Sequence, residues 1–259
     1  VTGLLRPAQL AALEEKHSEE IVEDAVDRIY SLLGQVIHGI LERAETTALA
    51  EKRLYMELGG KRISGQMDRI VYHEGLLQDY KFISVKKIKN GASLEYQQQL
   101  NFYAELMRRN GYEVKRAELV CILRDWNRYY AKTDRGNYPP NQVAVIDVPL
   151  WSRGIVTDLM MERLTAHEAA KKALLEGQAV LPNCSPEERW EQPGGWSIRK
   201  IDGKRAFAKG STESQFQAYA KDPGIPPGSV VHHNATRYIR CEEYCRVSKF
   251  CDQWKKDRS

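Results

Sequence analysis

Asp68, Asp79 and Lys81 are the residues whose types and spacing first point to chemistry. They lie in a stretch, Leu54 to Phe82, whose alternating residues are punctuated by Gly59-Gly60 and Glu74-Gly75, the pattern of three strands in a meander. Side chains alternate along a strand, so Asp79 and Lys81 share a face. With Glu74 and Gly75 as a two-residue turn, paired positions sum to 149, which sets Asp68 across from Lys81 and Ile70 across from Asp79. All three functional groups then share one surface. Two carboxylates and an ammonium make poor core material, because unpaired buried charge is costly, whereas a divalent cation between the carboxylates removes the conflict. Mg²⁺ suits such oxygen ligands, polarises a phosphodiester and lowers the pKa of a bound water, while a nearby ammonium stabilises charge on the phosphate. That chemistry is hydrolytic.

Two helices must present the remaining polar groups. Apolar residues at helical spacing from Ser18 to about Glu45 predict a long helix or two abutting ones, interrupted at Gly34. Gly34, His38 and Glu42 are spaced by four along it, so the glycine would admit another backbone and His38 could offer a ring nitrogen. A second helix runs from an N-cap at Ser93 to a stop at Gly111 and carries Gln99 and Tyr103 on one stripe. An apolar strand, Ala117 to Leu123, a polar loop, a strand from Val143 to Val148 and a helix from about Gly154 to Leu175 complete an α/β core.

Taken in order, GQVIHGILE (Gly34 to Glu42), GQMD (Gly65 to Asp68), Asp79-Tyr80-Lys81 and QLNFY (Gln99 to Tyr103) resemble the PD-(D/E)XK nuclease superfamily. Within it they are similar to the RecB-like and CRISPR-associated exonucleases. The likeness covers roughly residues 30 to 125. It implies a restriction-endonuclease-like core, a central mixed sheet flanked by helices. It also implies that His38, Asp68, Asp79 and the backbone carbonyl of Tyr80 hold Mg²⁺ or Mn²⁺, that Lys81 is the catalytic lysine, and that Gln99 and Tyr103 complete the site. Many relatives carry Glu where this chain has Asp79, which shortens the reach to the metal by one methylene.

The cysteines point to a second centre. None precedes Cys121, and Cys241, Cys245 and Cys251 form C-x3-C-x5-C near the end, with Cys184 lying 57 positions before Cys241. Between them a hairpin (Trp196 to Ile201, Asp202-Gly203, Arg205 to Ala208), a short helix near Glu213 to Ala220 and a strand near Ser229 to His233 predict a small ββαβ insertion. This insertion must return the chain to its start for four thiolates to meet. Four soft ligands fit Zn²⁺ or a [4Fe-4S] cluster. Cys121, in an apolar strand, reads as core. The tail resembles the cluster-binding ends of AddB-type and CRISPR-associated nucleases and is similar to phage exonuclease-like proteins. In those relatives, however, the distant cysteine precedes the nuclease motifs and the triplet commonly begins C-x2-C. The division expected is a nuclease core over 1–180 and the insertion with its cysteine centre over 181–259.

The formal charge of +4 permits nucleic-acid binding without demanding it, and Lys81, Lys86, Lys87 and Lys89 cluster within nine positions. No run approaches the roughly 18 apolar residues of a spanning helix, and Val1 to Glu20 lacks a secretion pattern, so a cytoplasmic protein is expected. The function expected from the resemblance is a metal-dependent deoxyribonuclease. It would be an exonuclease acting on DNA ends or single strands, in phage or bacterial recombination or repair, with recombination or replication proteins as partners. The competing expectation is a non-catalytic DNA-binding or scaffold module that keeps the fold.

Overall fold

Gly59 and Gly60, both at positive φ, turn β1 (Leu49–Leu58) directly into β2 (Lys61–Val71), and β3 (Leu76–Ile83) follows antiparallel to β2. The computed structural model describes residues 1–22, 24–44, 49–179, 182–200, 203, 206–210 and 224–258. Internal packing divides the chain into two units, Val1–Pro182 and Asn183–Ser259.

In the first unit a five-stranded mixed sheet runs in the order β1-β2-β3-β4-β5. β4 (Arg116–Leu123) lies parallel to β3, and β5 (Val143–Val148) pairs antiparallel at the edge. Short helices α1 (Thr2–Leu5) and α2 (Ala8–Lys16) precede α3 (Ile29–Ala44). The parallel pair needs a crossover, which α4 (Leu94–Arg109) supplies. α5 (Arg128–Thr133) lies between β4 and β5, and α6 (Arg153–Leu175) follows β5. The core lies where α4 meets the sheet: Leu100, Phe102, Leu106 and Met107 are fully buried with Met67, Ile70, Leu77 and Leu123. The central mixed sheet flanked by helices agrees with expectation. No helix among the described residues is long and apolar enough to cross a membrane.

The β2–β3 connection differs from expectation. Tyr72–Glu74 forms a 3₁₀ turn closed by Gly75 at φ 64°, whose N–H donates to the Tyr72 carbonyl at 3.0 Å. The pairs are Arg69↔Gln78, Ile70↔Leu77 and Val71↔Leu76, a sum of 147 rather than 149. Asp68 therefore lies one step beyond the last pair and, continuing the register, across from Asp79 rather than Lys81. The shift is two residues, so every side chain keeps its face.

α3 also departs from expectation. It begins after a 3₁₀ turn, Ala25–Arg28, at which Asp24 accepts a hydrogen bond from the Val26 N–H at 2.9 Å, so residues 18–22 and Asp24 are not part of it. Gly34 does not interrupt it, and no described atom lies within 4 Å of where a Cβ would stand, so no backbone among the described residues exploits that glycine. The close approach occurs at Gly65 in β2, where a Cβ would meet Tyr103 Cε1 at 2.8 Å and Leu106 Cδ2 at 2.9 Å.

In the second unit β7 (Gly195–Lys200) is flanked by β8 (Ala206–Gly210) and β9 (Ser229–Asn234), the three strands expected of the insertion. The helix expected near 213 to 220 lies outside the described residues, as do Ile201, Asp202 and Arg205 of the hairpin. β6 (Glu191–Gln192) pairs with β10 (Arg237–Tyr238) and brings the two ends of the insertion together. A π-helical turn, Arg240–Tyr244, a 3₁₀ turn, Ser248–Phe250, and α7 (Asp252–Arg258) follow.

Gly65→Ala is expected to destabilise the protein by roughly 1–3 kcal/mol through overpacking against Tyr103 and Leu106. Gly34→Ala should stabilise it by about 0.5–1 kcal/mol, since an open helical position gains propensity. Urea denaturation of both variants checks the contrast, and equal effects would contradict this packing.

Candidate functional site

β3 places Asp79 in the core, 2% exposed, and carries Lys81 on the same face. Asp79 Oδ1 accepts a hydrogen bond from Gln99 Nε2 of α4 at 3.0 Å, and Lys81 Nζ lies 2.6 Å from Asp79 Oδ2. Gln99 Nε2 is also 3.5 Å from the Tyr103 hydroxyl, so the two α4 residues meet as their spacing predicts. Asp68, from β2, turns Oδ2 to the Tyr80 N–H at 2.7 Å, and its Oδ1 stands 3.4 Å from His38 Nδ1 of α3. The His38 ring meets Tyr80 edge-on, with centroids 6.2 Å apart. The structure thus brings together His38, Asp68, Asp79, Lys81, Gln99 and Tyr103. Tyr80 enters through its backbone N–H. Glu42 is exposed on α3.

The electrostatics follow from burial. Desolvation pushes the Asp79 carboxyl up to about 6; Lys81 opposes the rise, the Asp68 charge adds to it and His38 opposes it. Burial pulls the Lys81 ammonium down, but the charge and hydrogen bond of Asp79, with Asp68 behind it, outweigh this and hold it above the ordinary lysine value. Glu105, equally buried on α4, makes the contrast. Burial pushes its carboxyl up, but Arg153 at 3.1 Å and Arg109 at 2.8 Å overcome that and hold it below the usual range. Glu105 is a saturated structural ion pair joining α4 to the start of α6. Asp79 has one cation against it and a second carboxylate nearby.

Two neighbours were not singled out from the sequence as part of this site. Tyr96 carries the Lys81 ammonium 5.4 Å from its ring centroid. Its signal was available, since 96, 99 and 103 fall on one helical stripe. Cys121, expected as core, is fully buried and pairs with Lys81 across β3 and β4; burial and the Asp79 charge push its thiol up to about 11.

Two carboxylates and an imidazole form a hard, oxygen-rich donor set suited to Mg²⁺ or Mn²⁺. Among the described residues no three His, Cys, Asp or Glu side chains close into a ready ligand cage. Asp79 Oδ2 is buried without a well-directed hydrogen bond, and the Lys81 ammonium supplies the positive charge beside it. Metal entry would therefore require that ammonium to yield its place. The donor types suit such an ion, and Lys81 Nζ stands against the Asp79 oxygen it would use.

In the second unit the thiols Cys184, Cys241, Cys245 and Cys251 form no disulfide among the described residues, and each interacts electrostatically with the other three. Burial, with Glu188 and the other thiols adding to it, pushes Cys184 up to about 12; burial also raises Cys245 and Cys251. Gln253 fastens the Cys184 backbone from α7, accepting its N–H at 3.0 Å and donating to its carbonyl at 2.9 Å. Arg189, 5% exposed, donates to Cys241 Sγ at 3.5 Å, stacks its guanidinium 3.4 Å from the Tyr238 ring centroid and pairs with Asp257. Thiols of this donor type bind soft metals once deprotonated, which burial opposes until a metal arrives.

No protein-family profile and no curated protein matches this sequence. Among solved structures, that of SSO0001 superimposes with a TM-score of 0.45 at 19% identity, covering 63% of this chain and 73% of that one, a likeness too slight to carry an argument.

Asp79 implies a specific pH dependence. Its carboxyl is raised from 3.8 to about 6. Between these values the unfolded chain ionises while the buried group keeps its proton, so stability falls as pH rises from about 4 to 6 and the slope then vanishes. The loss is on the order of 3 kcal/mol. Denaturation in chelator at both pH values should show wild type losing that much relative to Asp79→Asn, and parallel profiles would show that Asp79 titrates normally.

Proposed function

We propose that this chain is a divalent-metal-dependent deoxyribonuclease of the PD-(D/E)XK type, acting as an exonuclease on DNA ends or single strands. The observation that carries the reading is the Asp79 carboxylate, buried with a single cation against it and a second carboxylate on the same face. A purely structural site would be expected to resemble Glu105, with its charge fully answered. Four sequence motifs converging on one pocket support it further.

In this reading His38, Asp68, Asp79 and the Tyr80 carbonyl hold Mg²⁺ or Mn²⁺. The bound ion would supply Lewis acidity toward the phosphodiester and a water of lowered pKa. Lys81, released from Asp79, places its ammonium against the charge that develops on the phosphate. Gln99 and Tyr103 orient the attacking water or a phosphate oxygen, and Gln99 also fixes the Asp79 carboxylate through Oδ1. Asp68 is steadied by the Tyr80 N–H, which keeps its second oxygen directed toward His38. The four cysteines hold a [4Fe-4S] cluster or Zn²⁺. Arg189 then donates to a ligating sulfur. We place the protein in the cytoplasm, in phage or bacterial recombination or repair, with recombination or replication proteins as partners.

End-labelled linear and closed-circular DNA, incubated with anaerobically purified protein and Mg²⁺, Mn²⁺ or chelator, tests the reading. Linear but not circular DNA should be degraded in a metal-dependent way. Lys81→Ala should reduce the rate by a factor on the order of 10³ while its circular dichroism keeps the native fold, with a lowered melting temperature because Asp79 loses its counter-charge. No cleavage by intact protein would leave a DNA-binding or scaffold module instead. Cys245→Ser should abolish bound iron or zinc and lower the melting temperature; unchanged metal content and melting would remove the cysteine centre.

A further inference from the structure

The chain after β4, read from the sequence only as a polar loop, holds an ordered cluster that the proposed catalysis does not use. Trp126 Nε1 donates to the Pro139 carbonyl at 2.9 Å, and the Tyr138 hydroxyl accepts the Asn127 N–H at 2.9 Å and donates to the Asp125 carbonyl at 3.3 Å. On this frame Tyr129 and Tyr130 are 68% and 53% exposed. Their ring centroids lie 5.7 Å apart, and Tyr130 lies 5.7 Å from Tyr138. Adjacent aromatic rings held in place and left to water form the kind of exposed apolar surface that binds something.

Cations outnumber acids around them. Arg128, Lys132 and Arg135 are exposed and make no ion pair among the described residues. The acids of the segment are engaged locally: Asp125 Oδ1 accepts the Val85 N–H at 2.7 Å, and Asp134 Oδ1 accepts from Asn137 at 3.0 Å. The Val85 bond joins the loop to the 3₁₀ turn after β3, where Lys86 and Lys87 are likewise exposed and unpaired among the described residues. The surface begins near the catalytic face. Arg124 N–H donates to the Ile83 carbonyl at 3.0 Å, so the loop departs three residues beyond the level of Lys81, about 10 Å along the strands.

We propose that Tyr129 and Tyr130 form a stacking platform for single-stranded nucleic acid, with Arg128, Lys132, Lys86 and Lys87 meeting its phosphates. The platform rests on the nuclease reading for its role, which is to hold an unpaired strand beside Lys81. Every base has a π-face, so the contact tolerates any sequence, whereas bases inside a duplex are already stacked and cannot use it. This selects single strands or frayed ends.

The test measures fluorescence anisotropy of a thymidine oligomer of about 20 nucleotides, a length that covers one such site, and of a blunt duplex of equal length, with the full chain in chelator. Tyr129→Ala/Tyr130→Ala should weaken single-strand binding roughly 10-fold or more and leave duplex binding nearly unchanged, while the double Phe variant retains affinity. Arg128→Ala/Lys132→Ala should lower the slope of log affinity against log salt by roughly one to two. Unchanged single-strand binding in the Ala pair, or equal loss on duplex, overturns the platform. Because binding is read without metal, the two proposals fail separately: intact platform binding without cleavage sinks the nuclease, and cleavage with tyrosine-independent binding sinks the platform.

Discussion

A carboxylate inside an apolar core must be answered by positive charge, and for Asp79 the answer is the Lys81 ammonium two residues along the same strand. The rest of the first unit is arranged around that pair. Gly65 lets α4 settle against β2 closely enough for Tyr103 to reach the site, and Gln99 then takes the second Asp79 oxygen. Tyr96 presents its ring to the ammonium from the same helix, and β4 closes the neighbouring position with Cys121. Removing water from this pocket raises the affinity of Asp79 for a proton. The same dehydration would strengthen its hold on a cation able to replace Lys81. Proton and lysine thus compete for one oxygen pair, and a metal bound as proposed would join them.

Parallel pairing of β3 and β4 has a second consequence. It sets the carboxyl ends of the two strands side by side, so the turn after Ile83 and the loop after Leu123 leave together and are joined by the Val85 to Asp125 bond. The sheet carries Asp79 and Lys81, and adjoining loops carry exposed rings and cations, an arrangement that follows the rule that ligands approach open α/β sheets outside the carboxyl ends of their strands. In the second unit the organising residue is Arg189. Its guanidinium serves a sulfur, an aromatic face and a carboxylate at once, and the β6–β10 pairing delivers the Cys184 and Cys241 segments to it from opposite ends of the insertion.

Much of this was legible in the chain because it depends on neighbours in sequence. Alternation alone places Asp79 with Lys81, and a spacing of four places Gln99 with Tyr103. The strands from Leu54 to Val148 and the helix ending at Leu175 follow from the same periodicities. The β2–β3 register was misread by two residues because a 3₁₀ turn replaced the simple hairpin, yet the faces survived because the error was even. The glycines misled for a different reason. A helical Gly34 on a motif stripe suggested close packing, while the close packing is at Gly65 in a strand, and only the neighbouring element reveals which glycine is crowded.

By itself, then, the sequence determined which strand faces carry charge and where most of the strands and the helices carrying Gln99 and Leu175 run, since each of these is carried by local period or spacing. Tertiary structure alone decided that Glu105 is saturated while Asp79 is not, that Tyr96 supports Lys81, and that the exposed Tyr129 and Tyr130 rings stand together on the loop after β4. Burial and desolvation are summed over groups from distant parts of the chain. No window of neighbouring residues contains that sum.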